Sequence, residues 1–130
     1  MIRTFIAAAL AFALASAMPA HAEGWSLVDE GAKFQQIKQR DSFVNIVTKG
    51  KLRRFGVTLE VRPDGEIDGS AFGRDISGRW KWQNGYFCRD LNWGSSELGT
   101  NCQEVQISGS TLRFTSDQGQ GRFADLELRR

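Results

Sequence analysis

Residues 76–93 read ISGRWKWQNGYFCRDLNW, and this stretch decides the fold. Ile76, Gly78, Trp80 and Trp82 alternate with polar neighbours, the pattern of a half-buried strand. Asn84-Gly85 then supplies the dipeptide that best tolerates the left-handed backbone of a tight hairpin turn. Phe87, Arg89 and Leu91 run back on the same parity. Pairing outward from the turn sets Trp82 against Phe87, Trp80 against Arg89 and Gly78 against Leu91.

Neighbouring segments repeat the device. Val57, Leu59 and Val61 alternate into Pro63-Asp64-Gly65, a three-residue turn whose glycine suits a positive φ. Ile67, Gly69 and Ala71 return from it. A tight turn at Gly73-Arg74 leads to Ile76, which sets Gly69 beside Gly78 and Ile67 beside Trp80. On the opposite face the same register pairs Glu60 with Asp68, places Arg79 between Asp68 and Asp90, and faces Glu66 with Lys81. Later come Cys102 to Ile107, a Gly109-Ser110 turn, Leu112 to Phe114, and a closing strand with Ala124, Leu126 and Leu128 on one face. Gly94 to Gly99 reads as the longest loop after the helix.

Before the meander, Asp41-Ser42 predicts the cap of a short helix with Phe43, Ile46 and Val47 on one stripe and Gly50 at its end. Trp25, Leu27 and Val28 suit a first strand or strap. The expected fold is mainly β: an antiparallel meander of about seven to eight strands closing into a small barrel, with one short N-terminal helix. Closure removes the sheet edges and covers a single apolar face. A β-sandwich is the alternative, since parity alone does not separate the two.

Residues 1–22 read as a cleaved signal peptide. Arg3 gives a positive start, Phe5 to Met18 is a short apolar stretch, and Ala20-His21-Ala22 precedes the cut. This predicts a single barrel domain over 23–130, periplasmic or secreted, without a membrane span. Cleavage would remove His21, the chain's one histidine, and with it Ser-His-Asp chemistry, Cys-His chemistry and histidine-bound zinc. Basic and acidic residues nearly balance, at 17 and 15. Seven basic residues gather between Lys33 and Arg54 with Asp41 the one acid among them. That run reads as a solvated face, with a polyanion or membrane-surface contact as its functional alternative. No aromatic interleaving suggests base stacking, so no nucleic-acid partner is expected.

Cys88 and Cys102 form an even pair, and in an exported chain they predict one structural disulfide. Both have outward parity, so the bridge would staple strands from outside. Its loop is worth about 3 kcal/mol in the chain-entropy model.

Arg89 is the charged side chain that the register places on the apolar face, opposite Trp80. It reads either as an Arg–Trp packing pair or as an anchor for an anionic ligand. Arg89, Trp80 and Trp82 are therefore the candidate ligand-binding residues. No catalytic residue, metal site or cofactor is indicated. Glu60, Asp68 and Asp90 read as compensated surface charge, and Gly119-Gln120-Gly121 leads into a strand rather than the helix a phosphate cradle needs.

Residues 75–94, followed by LGTNCQ at 98–103 and TLRFTSDQG at 111–119, resemble a family of small exported alphaproteobacterial proteins often labelled dihydrodipicolinate reductase. The shared features are Gly78, Trp80, Trp82, Gly85, Tyr86, Phe87, Cys88, Arg89 and Cys102. That label implies an NAD(P)H oxidoreductase. A looser resemblance, through Gly78, Trp80 and Arg89, is to lipocalin-like barrels, and in size and build the chain is similar to periplasmic protease and lysozyme inhibitors. The residues favour a monomeric, non-catalytic barrel that binds a small ligand or a periplasmic protein, with the inhibitor and reductase readings as alternatives.

Overall fold

A computed structural model describes residues 24–25 and 33–130. The predicted signal peptide over 1–22, and Leu27 and Val28 of the expected strap, lie outside the described residues. The chain order is β1 (Gly24–Trp25), β2 (Gln35–Ile37), α1 (Arg40–Val47), β3 (Lys51–Arg54), β4 (Val57–Val61), β5 (Glu66–Ala71), β6 (Arg74–Gln83), β7 (Tyr86–Trp93), β8 (Ser96–Ser108), β9 (Thr111–Thr115) and β10 (Phe123–Arg129), with a short 3₁₀ turn at Asp117–Gly119 before β10.

Strands β3 to β10 pair antiparallel in sequence, and β10 returns to β3 through Leu128–Leu52, so eight strands close into a barrel rather than a sandwich. β3 carries no strand signal of its own in the sequence. Its single buried apolar residue, Leu52, lies among Lys51, Arg53 and Arg54, which hides the alternation. The seam it closes is short, with register only from Glu127–Arg53 to Arg129–Lys51. Beyond it, β1 lies parallel to β10 at Phe123 and Ala124. β2 in turn pairs with β8 at Val105 to Ile107.

The hairpin over 76–93 forms as its sequence dictates, with Gly78–Leu91, Trp80–Arg89 and Trp82–Phe87 in register around Asn84 (φ 54°) and Gly85 (φ 82°). The β4–β5 register, Leu59–Gly69 and Val61–Ile67, also follows the Pro63–Gly65 turn. The β5–β6 register differs from expectation by two residues: Ile67 faces Gly78 and Gly69 faces Ile76. The turn is Phe72-Gly73, with Phe72 at φ 51°, a conformation that a bulky side chain rarely takes and that the sequence therefore did not advertise. A shift of two keeps every side chain on its expected face.

The outer charge row moves with it. Glu66 faces Arg79, not Lys81, and Asp68 faces Ser77, not Arg79. Arg62 is the hub instead, with Nη2 2.9 Å from Asp68 and further contacts to Glu60 and Glu66. The expected loop over 94–99 is also a correction. Gly94-Ser95 is a two-residue turn and β8 begins at Ser96, with the register stepping past Leu98 between Leu91–Gly99 and Asn92–Glu97. The polar composition there reflects strands that project beyond the core.

The hairpins alternate between two ends. The turns at Arg62–Gly65, Asn84-Gly85 and Gly109-Ser110 share one end with α1; the turns at Phe55-Gly56, Phe72-Gly73 and Gly94-Ser95 share the other with the segment 116–122. α1 begins at Arg40, with Gln39 as N-cap and no side-chain cap, so Asp41 sits in the first turn and complements the helix dipole rather than capping it. Its Phe43 is fully buried in the barrel interior and packs on Trp80, Trp82, Phe87 and Phe114, with ring centroids 5.0–6.4 Å away. The helix is a plug.

Outside the barrel, Arg113 lies 4.0 Å over both Phe34 and Phe123 and makes a bidentate pair, at 2.8 and 3.0 Å, with the buried Asp125. This clamp holds the segment before β2 against β9 and β10. Cys88 and Cys102 are directly opposed on β7 and β8 and joined by a disulfide on the outer face, as their parity requires.

Candidate functional site

Below the plug, no side chain among the described residues fills the interior. A partly open cavity of about 260 Å³ lies between the aromatic floor of Phe87 and Phe114 and the end opposite α1. Its apolar walls come from Leu52, Leu59, Leu91 and Leu126. Arg89, Gln103, Ser116 and Arg122 form the polar part of the lining. The Gly109-Ser110 turn brings the middle pair together, because continuing that hairpin inward from Ile107–Leu112 sets Gln103 opposite Ser116. Gln103 Nε2 and Ser116 Oγ are 3.4 Å apart. The same extension of the turn was available from sequence; Arg122, at the entry to β10, gave no comparable signal.

The three candidate residues separate. Arg89 lines the cavity, half-buried, and Nη1 donates to the carbonyl of Gly99 at 2.8 Å. Burial pushes its guanidinium pKa down, and Asp90 next to it pushes the other way. Trp80 and Trp82 belong to the plug. Their indole N–H groups donate to the carbonyls of Arg62 and Lys38, at 2.8 and 2.9 Å. The cation over the Trp80 ring is Arg40, at 5.3 Å, whose Nη2 also donates to the Pro63 carbonyl. Trp80 and Arg89 are cross-strand neighbours, yet they face different neighbourhoods of the interior.

Arginine, glutamine and serine donors beside leucine walls make an environment for an apolar molecule with one anionic group. Among the described residues no group of three or more His, Cys, Asp and Glu is placed to hold a metal ion, and no helix is long and apolar enough to cross a membrane.

Fold and site together define a closed eight-stranded antiparallel barrel, plugged by a helix at one end and hollow toward the other. Compared with known proteins, the chain matches no family model, no curated protein and no solved structure.

Proposed function

We propose that this protein is a non-catalytic binding protein that holds a small amphipathic anion inside its barrel and works outside the cytoplasm. The observation that carries this reading is the apolar cavity with Arg89 on its wall. A desolvated guanidinium is unfavourable unless something returns the lost hydration, and a carboxylate or similar anion does so with charge-assisted hydrogen bonds. The apolar portion would lie against Leu52, Leu59 and Leu126. The volume gives room for roughly nine water-sized groups, which suits an acyl chain of medium length. The disulfide between Cys88 and Cys102 supports an oxidising compartment.

Octanoate, with octanol as the neutral control, tests the reading by titration calorimetry on wild type and Arg89→Leu. Saturable binding of octanoate that the variant loses, with octanol weaker, is the expected result. Equal binding of acid and alcohol would remove Arg89 as the anchor. Saturable binding of NADPH in place of either would return the reductase reading.

A further inference from the structure

The large apolar side chains that remain exposed among the described residues are Phe55 (83% exposed), Phe72 (65%) and Leu98 (50%). All three lie at the end opposite α1, on the β3–β4, β5–β6 and β7–β8 hairpins respectively. Chance would scatter them over both ends and the barrel wall. Phe55 and Phe72 form one unit. The N–H of Phe72 donates to the carbonyl of Gly56 at 2.8 Å, joining the two hairpin tips, and the Phe72 ring lies across Gly56 where a Cβ would collide with it. Phe72 holds this place at φ 51°, where asparagine or glycine is the easy choice. The turn is therefore strained to present an aromatic ring to solvent.

The surroundings of the two rings are basic. Arg53 and Arg54 precede Phe55, and Arg74 follows Phe72, stacked 4.6 Å over Trp93, whose indole N–H donates to the Ala71 carbonyl and so braces the second hairpin. Against these stand Asp75 on the Phe72 side and Glu127, which is opposite Arg53 and paired with Arg129 at 3.0 Å. Glu97 flanks Leu98. Aromatic rings on convex tips, flanked by guanidinium groups, are the combination that an anionic lipid interface accommodates. A lipid interface deforms around them and supplies the negative charge.

We propose that this end docks on an anionic lipid bilayer, with Phe55 and Phe72 entering the interface and Arg53, Arg54 and Arg74 among the headgroups. The inference stands on the hairpin tips and not on what the cavity holds. Hydroxyl-radical footprinting tests it, with vesicles of phosphatidylglycerol in phosphatidylcholine as the probe. Bound protein is expected to show several-fold slower oxidation at Phe55 and Phe72, with Tyr86 at the opposite end unchanged. The companion measurement is co-sedimentation of Phe55→Ser/Phe72→Asn, which puts a turn-favouring residue at the strained position and should melt no lower than wild type.

Each ring removed should weaken partitioning about tenfold. The apolar stretch Phe5 to Met18 is present in both chains, so the difference between them isolates the tips. Unchanged oxidation of Phe55 and Phe72 in vesicle-bound protein, or equal sedimentation of the variant, would overturn the proposal. So would protection that rises with protein concentration and needs no vesicles, which would make a second copy the occupant.

Discussion

At the end that carries α1, Phe43 is fully buried against four rings, and Trp80 and Trp82 give their N–H groups to backbone carbonyls of the connections that cross it. At the opposite end the same sheet leaves a cavity, with Arg89 on its wall and two exposed phenylalanines on its hairpins. Arginine and aromatic residues occur at both ends. The difference lies in the connections. At one end a helix inserts an aromatic side chain that the strands cannot supply, while at the other the two-residue turns and the segment 116–122 place no such side chain among the described residues. A small barrel is thus solid or hollow according to what its connections contribute.

Removing the plug is the most severe way to break this contrast. Phe43→Ala should lose about 3–5 kcal/mol in urea denaturation, by emptying a fully enclosed aromatic site. A loss under 1 kcal/mol would mean that the helix does not fill the barrel. Next comes the disulfide on the outer wall. Cys88→Ala/Cys102→Ala should destabilise by about 3 kcal/mol, and reductant should then have no further effect on the midpoint.

Arg40→Ala trims the first residue of the plugging helix, removing its stacking on Trp80 and its bond to Pro63, and should lose about 1 kcal/mol. The smallest effect on stability is expected at the hollow end. Arg89→Leu should be neutral or up to about 1 kcal/mol more stable, since a half-desolvated charge is exchanged for apolar surface and solvent screens much of the difference. Opposite signs at Arg40 and Arg89, measured in one denaturation series, would sharpen the comparison; a large loss at Arg89 would make it a structural residue.

The pH behaviour follows from the same guanidinium. Its folded pKa is depressed, so the unfolded chain holds the proton more tightly. Below both values each state is protonated and the stability difference is constant; stability rises only as strongly alkaline pH is approached. Denaturation midpoints of wild type and Arg89→Leu should therefore run parallel between about pH 6 and 9. Divergence in that window would place the titration elsewhere.

Faces were legible in the sequence and partners less so. Alternation around Asn84-Gly85 and Pro63-Asp64-Gly65 put each strand's apolar residues inward, and parity against Phe87 and against Val105 and Ile107 turned both cysteines outward. Their direct opposition depends on the Gly94-Ser95 turn, which the polar sequence concealed. Parity survives a shift of two, which is why the displaced β5–β6 register changed the ion pairs at Glu66 and Asp68 and not the core. Closure was legible less directly, because it rests on Leu52 meeting Leu128 across most of the chain, with no turn between them to set the register. Arg89 was visible as a charge on an apolar row. The empty space beside it was not, since a void is a property of three-dimensional packing and leaves no periodic trace.

The pairing of Leu52 with Leu128 has a kinetic consequence. An eight-residue helix is marginal in isolation, so α1 waits for a surface to pack on. The rings that receive Phe43 lie on β6, β7 and β9, so the plug seats only once the meander has formed through β9, and β10 must still reach β3 across most of the described chain. Plugging and ring closure are thus both late and highly non-local events. Folding of this barrel is expected on the millisecond-to-second scale of non-local β topologies, with no stable half-barrel along the way.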